Sequence, residues 1–335
     1  MLVGSCATKR YSEKIEDIKD GIVFSDAETI NKFSQTITVH ELRELVYELS
    51  AKPYQGRETG EVGHDLACNF IQEFYKNAQI SSPFGTDNYY QNIPESFLDG
   101  KAKSSQNVMG FIKGSTYPEE LLIISAHSDH IGSDETGVYQ GVDDNASGTS
   151  AVLEMAEAFG LAAMEGHLPK RSILFLHLTG EEKGLMGSRY YVQNPVFPLE
   201  NTVANLNIDM IGRVDRAHKD NDNYIYIIGA DRLSTELHYI SEKANTSFTQ
   251  LELDYKFNAE NDVNRYYYRS DHYNFAKEGI PVIFYFNGEH EDYHLATDTP
   301  EKINYKLLTK RTRLIFATAW YLANNDQRLA VDENL

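Results

Sequence analysis

Apolar residues run almost unbroken over 121–126 and 173–178, each stretch closed by a polar turn, which is the pattern of strands buried on both faces. Around them the period changes. Val39, Leu42, Leu45, Val46 and Leu49 recur at helical spacing behind Thr38, which predicts a helix with Thr38 as its N-cap. A loop over 53–63 follows, then a second helix whose predicted buried face carries Leu66, Phe70, Ile71 and Phe74. Strands over 89–93 and 107–112 flank the turn signal Asp99-Gly100, and a buried strand over 121–126 comes next. Beyond it helices are predicted over 147–159, 187–193, 234–244, 271–278 and 303–322. Strands are predicted over 172–178, 203–208, 224–228, 248–253 and 281–286. This alternation predicts an α/β three-layer sandwich, with a mixed, mostly parallel central sheet flanked by helices and an antiparallel edge at 89–112. Residues 9–35 are polar with weak periodicity, and 1–35 read as an N-terminal tether or arm. Residues 36–325 read as one domain without internal repeats, and 326–335 as a C-terminal tail.

Composition narrows the partners. A net charge of −19 over 335 residues opposes nucleic acid or an anionic membrane surface, since neither attracts an acidic chain. No apolar run approaches the roughly 20 residues of a spanning helix. Two cysteines, Cys6 and Cys68, exclude a disulfide framework or a thiolate zinc finger, and Cys68 reads as a small buried apolar residue. Val3-Gly4-Ser5-Cys6 resembles a bacterial lipobox, although the five residues before Cys6 are fewer than the roughly 7–15 of an apolar leader. Either a leader lies upstream of Met1 or the resemblance is accidental. The first reading predicts a lipid anchor at Cys6 and an extracytoplasmic protein, periplasmic or at the cell surface; membrane fractionation of a Cys6→Ala variant is the check.

The candidate chemistry lies where an open α/β sheet keeps its ligands, beyond the carboxyl ends of the strands. His127-Ser128-Asp129-His130 follows the strand over 121–126, and Glu181 and Glu182 follow the one over 172–178. Asp209 follows 203–208; Glu289 through His294 follow 281–286; and Asp143-Asp144-Asn145 precede a helix. An isolated Glu-Glu pair on a turn is ordinarily a solvated acidic turn, and a single His after a strand is ordinarily a hydrogen-bonded core residue. Here they come from five separate regions. Asp144, Glu181, Glu182 and Asp209 brought together would repel one another, and divalent cations would offset that charge. Imidazole and carboxylate without thiolate suit zinc, with manganese or cobalt behind it.

The motifs Ser125-Ala126-His127-Ser128-Asp129-His130, 141–148, Gly180-Glu181-Glu182-Lys183-Gly184, Asn207-Ile208-Asp209-Met210 and Tyr293-His294 resemble, in order, those of the co-catalytic di-zinc aminopeptidase family. These zinc exopeptidases are related to bacterial leucine aminopeptidase, glutamate carboxypeptidase, glutaminyl cyclase and the transferrin receptor. The resemblance implies two zinc ions, with His127 and Asp209 on one, Glu182 and His294 on the other, and Asp144 bridging both. It implies Glu181 as the general base and Asp129 as the carboxylate that orients the His127 ring. Tyr293 matches a residue that helps stabilise an oxyanion, and equally fits an aromatic packed on the rim. It also implies an irregular backbone at Asp144–Asn145, with a cis peptide.

The implied activity is hydrolysis of peptide substrates, with N-terminal residues released by a water activated between two ions. A carboxypeptidase of the glutamate carboxypeptidase type would need cations at the site, with Arg213, Arg265 and Arg269 as candidates, although Arg213 also fits a loop brace. Glutaminyl cyclases alter the His127 motif, which is intact here. A receptor-like binding protein would have lost ligands, and none is missing. Ser270-Asp271-His272 reads as a helix cap, Glu289 and Asp292 as acids able to receive a substrate amine or as solvated loop residues. Tyr266-Tyr267-Tyr268 reads equally as a pocket wall or as packing.

Overall fold

The computed structural model describes residues 11–332; the lipobox-like run at Cys6 lies outside them. In chain order the strands are β1 (Tyr90–Ile93), β2 (Ser105–Ile112), β3 (Tyr117–His127), β4 (Ser133–Asp134), β5 (Gly137–Val138), β6 (Arg171–Leu178), β7 (Thr202–Ile208), β8 (Tyr224–Ile228), β9 (Glu252–Asp254) and β10 (Val282–Phe286). The helices are α1 (Tyr11–Gly21), α2 (Ala27–Ser34), α3 (Val39–Leu49), α4 (Val62–Asn77), α5 (Gly148–Met164), α6 (Met186–Gln193), α7 (Thr235–Ala244), α8 (His272–Lys277) and α9 (Tyr305–Asn324). Eight strands form one sheet in the order β1-β2-β6-β3-β7-β10-β8-β9, while β4 and β5 pair separately.

The four central strands, β6, β3, β7 and β10, are mutually parallel. Their side chains divide by the period of two. Leu122, Ile124, Ile173 and Phe175 join the helices α3, α5, α7 and α9 on one face; Leu121, Ile123, Leu174 and Leu176 face Tyr191 of α6 and Phe275 of α8 on the other. Both faces are therefore covered, which is why these strands read as continuous apolar runs. The predicted three-layer sandwich with a mixed, mostly parallel sheet is the fold observed. The antiparallel edge comprises β1 on β2 and β2 on β6, and a third antiparallel pairing, β8 on β10, lies on the other side of the sheet. At α3 the Thr38 side chain accepts the Glu41 backbone N–H at 3.2 Å, the predicted cap.

Besides the strand predicted over 248–253, which shortens to β9 (Glu252–Asp254) behind a helical turn at Asn245–Thr249, three expectations differ from the structure. Part of the arm read over 1–35 is folded: α1 and α2 form, Ile22, Ile30 and Phe33 are buried, and Phe33 stacks on Trp320, whose indole N–H donates to Asp26. The docking is largely aromatic: Phe33 also meets His167, and Phe24 meets Phe248 and Tyr321. The tail over 326–335 is also docked where it is described, with Leu329 buried and Asp332 accepting the Thr235 backbone N–H at 2.7 Å. Third, α4 is rotated from its predicted face. His64, Ala67, Cys68, Ile71 and Tyr75 are buried, while Leu66 is exposed. Tyr75 lies over Gly110, where a Cβ would come within 2.7 Å of its ring, and its hydroxyl bonds His177 Nε2 at 2.7 Å. Polar side chains with partners inside the protein decide that face, and a hydrophobicity pattern does not register them.

One buried acid makes stability fall with pH. Glu154 on α5 is 3% exposed, and burial, reinforced by Glu41 and Glu157, pushes its carboxyl up to about 9. A raised folded-state pKa stabilises the fold below the ordinary carboxylate range, and that contribution is lost as pH rises toward 9. Glu154→Gln, which mimics the protonated acid, is expected to be about 1–3 kcal/mol more stable than the parent at pH 8, with the difference shrinking to a fraction of that by pH 5. Thermal unfolding at the two pH values checks this; equal midpoints at pH 8 would contradict it.

Candidate metal centre

The register of the parallel strands brings the first donors level. Ser125 of β3 pairs with Asn207 of β7, so His127, the last residue of β3, and Asp209, the first beyond β7, stand side by side at the carboxyl edge. His127 Nε2 lies 3.2 Å from Asp209 Oδ1 and 3.1 Å from Asp144 Oδ1. On the other side of Asp144, Oδ2 is 2.9 Å from His294 Nε2, which is 3.3 Å from Glu182 Oε1. The donor atoms fall into two groups that share Asp144: His127, Asp144 and Asp209, and His130, Asp144, Glu182 and His294. The five residues read from the sequence as ligands are brought together. His130 joins them without having been assigned a role; its place one residue beyond His127-Ser128-Asp129 was its only signal.

The turns around these groups are shaped by close approaches. Gly141 has φ 57°, and a Cβ there would lie 2.4 Å from the His130 ring. The Asp144–Asn145 peptide is cis, as the resemblance implied. Asn145 is buried, donates to Ile208 O at 2.8 Å and accepts the backbone N–H of Gly148 at 2.9 Å and of Met210 at 3.1 Å. His294 and Met210 both occupy the left-handed region, at φ 54° and 59°, a conformation that costs a non-glycine residue of order 1–2 kcal/mol and marks backbone held by its surroundings.

Asp129 meets the His127 ring through its main chain as well as its carboxylate. The His127 Nδ1 partner is the Asp129 backbone carbonyl at 3.1 Å, while the Asp129 carboxylate stands 3.7 Å away. That carboxylate is occupied by the Thr59 hydroxyl at 2.8 Å and by the backbone N–H groups of Glu181 and Glu182 at 3.2 and 3.4 Å. It therefore shapes the glutamate turn directly and orients the imidazole through its main chain. Ser270, read from the sequence as part of a helix cap, serves Asp209 instead. Its hydroxyl lies 2.6 Å from Asp209 Oδ2 and ends a buried chain that runs from Asn205 through Ser125 and Asn207.

Electrostatics separates the acids. Burial works against the charged form of Asp144, yet hydrogen bonds from His127 and His294 hold its pKa well below the ordinary carboxylate range. Glu181 faces the opposite balance: burial, with the charges of Glu182, Asp209 and Asp271, pushes it well above that range against the pull of His127. Its surface stays half open to a pocket lined by Asp144, Asp209, Met210, Phe284, Phe286 and Tyr293, with Tyr266, Arg269 and Glu289 also in its wall. Tyr293 stacks on the His294 ring at 3.9 Å, so it serves both as pocket wall and as support for a donor. Of the three tyrosines in a row, Tyr266 alone lines this pocket. Asp292 is unavailable to a substrate amine: it is buried and held by Arg213 at 2.8 Å, Lys302 at 2.6 Å and Thr297 at 2.6 Å. Arg213, which also reaches Asp298 and Glu291, is the loop brace.

The donor set fits a pair of divalent cations on its own chemistry. It comprises imidazoles and carboxylates without thiolate. Glu182 Oε1 and His130 Nδ1, both buried, have no hydrogen-bond partner, and buried polar atoms of that kind ordinarily answer to a ligand or ion.

A parallel-centred α/β sandwich with such a cage at its strand ends defines a metallohydrolase-like class, and comparison with known proteins gives the family. The chain belongs to peptidase family M28, whose family model matches residues 107–319. It is 26% identical over 258 residues to a probable zinc metalloprotease of Pyricularia oryzae, covering 65% of this chain and 50% of that one. It is 28% identical over 212 residues to a probable leucine aminopeptidase of Arthroderma benhamiae, covering 61% and 55%. The chain thus spans about half the length of these relatives. The LapA aminopeptidase of Legionella pneumophila has a similar fold, with a TM-score of 0.70 at 19% identity over 90% of this chain and 76% of LapA.

Proposed function

We propose that this chain is a zinc-dependent exopeptidase that releases N-terminal residues from peptides. The observation that carries the reading is the pair of donor groups sharing Asp144 at the mouth of the pocket that contains Glu181. His127 and Asp209 would hold one zinc ion, Glu182 and His294 the other, with Asp144 between them. Ions bound there supply Lewis-acid polarisation of the scissile carbonyl and a more acidic attacking water. Glu181, outside both donor groups yet in the same pocket, takes the proton of that water and returns it to the leaving amine. Asp129 fixes the turn from which Glu181 projects, through the backbone N–H groups of Glu181 and Glu182.

The charge of the pocket supports an amine over a carboxylate as the recognised terminus. Outside the donor groups the pocket holds two carboxylates, Glu181 and Glu289, against a single cation, Arg269, which is paired with Glu289 at 3.0 Å. A carboxypeptidase of the glutamate type needs free cations, and Arg213 is engaged with Asp292 and Asp298. Met210, Phe284 and Phe286 suit an apolar side chain at the residue released. The test combines metal analysis with digestion of one peptide in three forms: free, N-acetylated and C-amidated. Trimming of the free and amidated forms from the N-terminus is expected, with the acetylated form intact. Trimming from the other end would establish the carboxypeptidase reading instead, and absence of both metal and cleavage would sink both.

A further inference from the structure

His130 breaks the match between two otherwise equivalent donor groups. Each has one imidazole, His127 or His294, one carboxylate of its own, Asp209 or Glu182, and a share of Asp144; His130 belongs only to the second. Its Nδ1 lies 2.9 Å from Glu182 Oε1 and 3.8 Å from Asp144 Oδ2. At 2.9 Å an imidazole and a carboxylate ordinarily form a charge-assisted hydrogen bond. Yet neither Nδ1 nor Oε1 has a hydrogen-bond partner, so the two atoms are close without being aimed at each other. Two donors directed at a common third point have this relation: ligands about 2.0–2.1 Å from a tetrahedral ion lie ~3.3 Å apart.

The ring is also placed rather than loosely accommodated. His130 is 2% exposed, its backbone N–H donates to Arg57 O at 3.1 Å, and its ring stands edge-on to that of His294 at 5.4 Å. Gly141, in its left-handed conformation, leaves the space the ring fills.

We propose that His130 Nδ1 is a fourth protein ligand of the ion shared by Asp144, Glu182 and His294, so that the two ions of the centre are held unequally. The proposal rests on the di-zinc reading above. Four protein donors close a zinc site in the way of structural zinc, whereas three leave a position for exchangeable ligands. The four-donor ion is then the retained one, and the ion at His127 and Asp209 is the labile one.

The holoenzyme tests this. Zinc is counted after dialysis against rising concentrations of dipicolinate, and the protein left with empty sites is refilled with a single equivalent of cobalt(II). Zinc should leave in two steps, the second at roughly 10–100-fold more chelator. The one-cobalt protein should show two paramagnetically shifted, solvent-exchangeable ring N–H signals, from His130 and His294. In His130→Ala the second step should move down by about 10–100-fold and one signal should vanish. His130→Asn, whose amide oxygen lies near the place of Nδ1, should recover part of that affinity, and His130→Gln should not. A single signal in the parent, or an unchanged second step in His130→Ala, would overturn the proposal. If the alanine variant does not fold, the signal count in the parent decides alone. A parent that binds two equivalents but shows one signal refutes the His130 role by itself; a parent that binds none refutes the di-zinc reading and this proposal with it.

Discussion

Glu181→Gln is expected to lose about 10²–10⁴-fold in turnover, or roughly 3–5 kcal/mol of barrier, while keeping its fold and its metal. Glutamine preserves the size of the side chain and an accepting oxygen but cannot take the proton of the attacking water. The backbone contact that places the residue, Glu181 N–H to Asp129 Oδ1 at 3.2 Å, is untouched by the change. Neither donor group contains Glu181, so metal content should hold. Glu182→Gln is a different experiment on the adjacent residue. Its Oε1 lies within 3.3 Å of both His294 Nε2 and His130 Nδ1, and in the proposed di-zinc reading losing its charge would weaken a direct metal bond. Zinc occupancy and thermal stability should then fall together. Metal analysis and turnover on the same preparations separate the two roles. Loss of zinc from Glu181→Gln with retention in Glu182→Gln would reverse the assignment, and full activity in both would end the hydrolase reading.

The strands at the heart of the sheet were legible because each is buried on both faces, so its apolar run is continuous whatever its neighbours are. The same logic made the site's position legible, since parallel strands end at a common edge: His127 closes β3, and Glu181, Glu182 and Asp209 lie one to four residues past the ends of β6 and β7. The pairing of ligands into two groups came from a resemblance of motifs, because spacing along the chain says nothing of which side chains meet across the edge. What the pattern could not show depends on partners distant in sequence. The α4 face is set by His64 and Tyr75 reaching Ser128 and His177. The early helices dock through Phe33 and Asp26 onto Trp320. Asp292 reads as a loop acid until the structure shows it clamped by Arg213 and Lys302. His130 and Ser270 are ordinary polar residues in the sequence, and only geometry puts them 2.9 Å from Glu182 and 2.6 Å from Asp209.

Arg57 is the residue whose loss should cost the fold most among those no motif marked. It sits in the predicted loop over 53–63, in the left-handed region at φ 48°, and is 1% exposed. Its guanidinium donates to four backbone carbonyls from three segments: Leu49 at 2.7 Å, Ser128 at 3.0 Å, Gln140 at 2.7 Å and Gly141 at 2.6 Å. These belong to the end of α3, the turn after β3 and the turn that leads to Asp144. Burial lowers its pKa to about 10, against the nearby charges of Asp144, Asp129, Asp298 and Glu182, so it remains charged at neutral pH. Arg57→Met keeps most of the volume and strips every donor. Each buried carbonyl left without a partner costs about 1–3 kcal/mol, and the losses are not additive because the segments relax together. A total of about 3–5 kcal/mol is expected, a large share of the 5–15 kcal/mol that ordinarily holds a domain folded. Zinc affinity should drop as well, because the segments that carry His130 and Asp144 lose the group that joins them. Arg57→Lys should fall between the two, since an ammonium offers three donors and cannot span the four carbonyls as a planar fork does. Denaturant unfolding of the metal-free and zinc-loaded forms measures both effects. A methionine variant within about 1 kcal/mol of the parent, with its zinc intact, would show that the four carbonyls find other partners and that Arg57 does not tie the metal turns to α3.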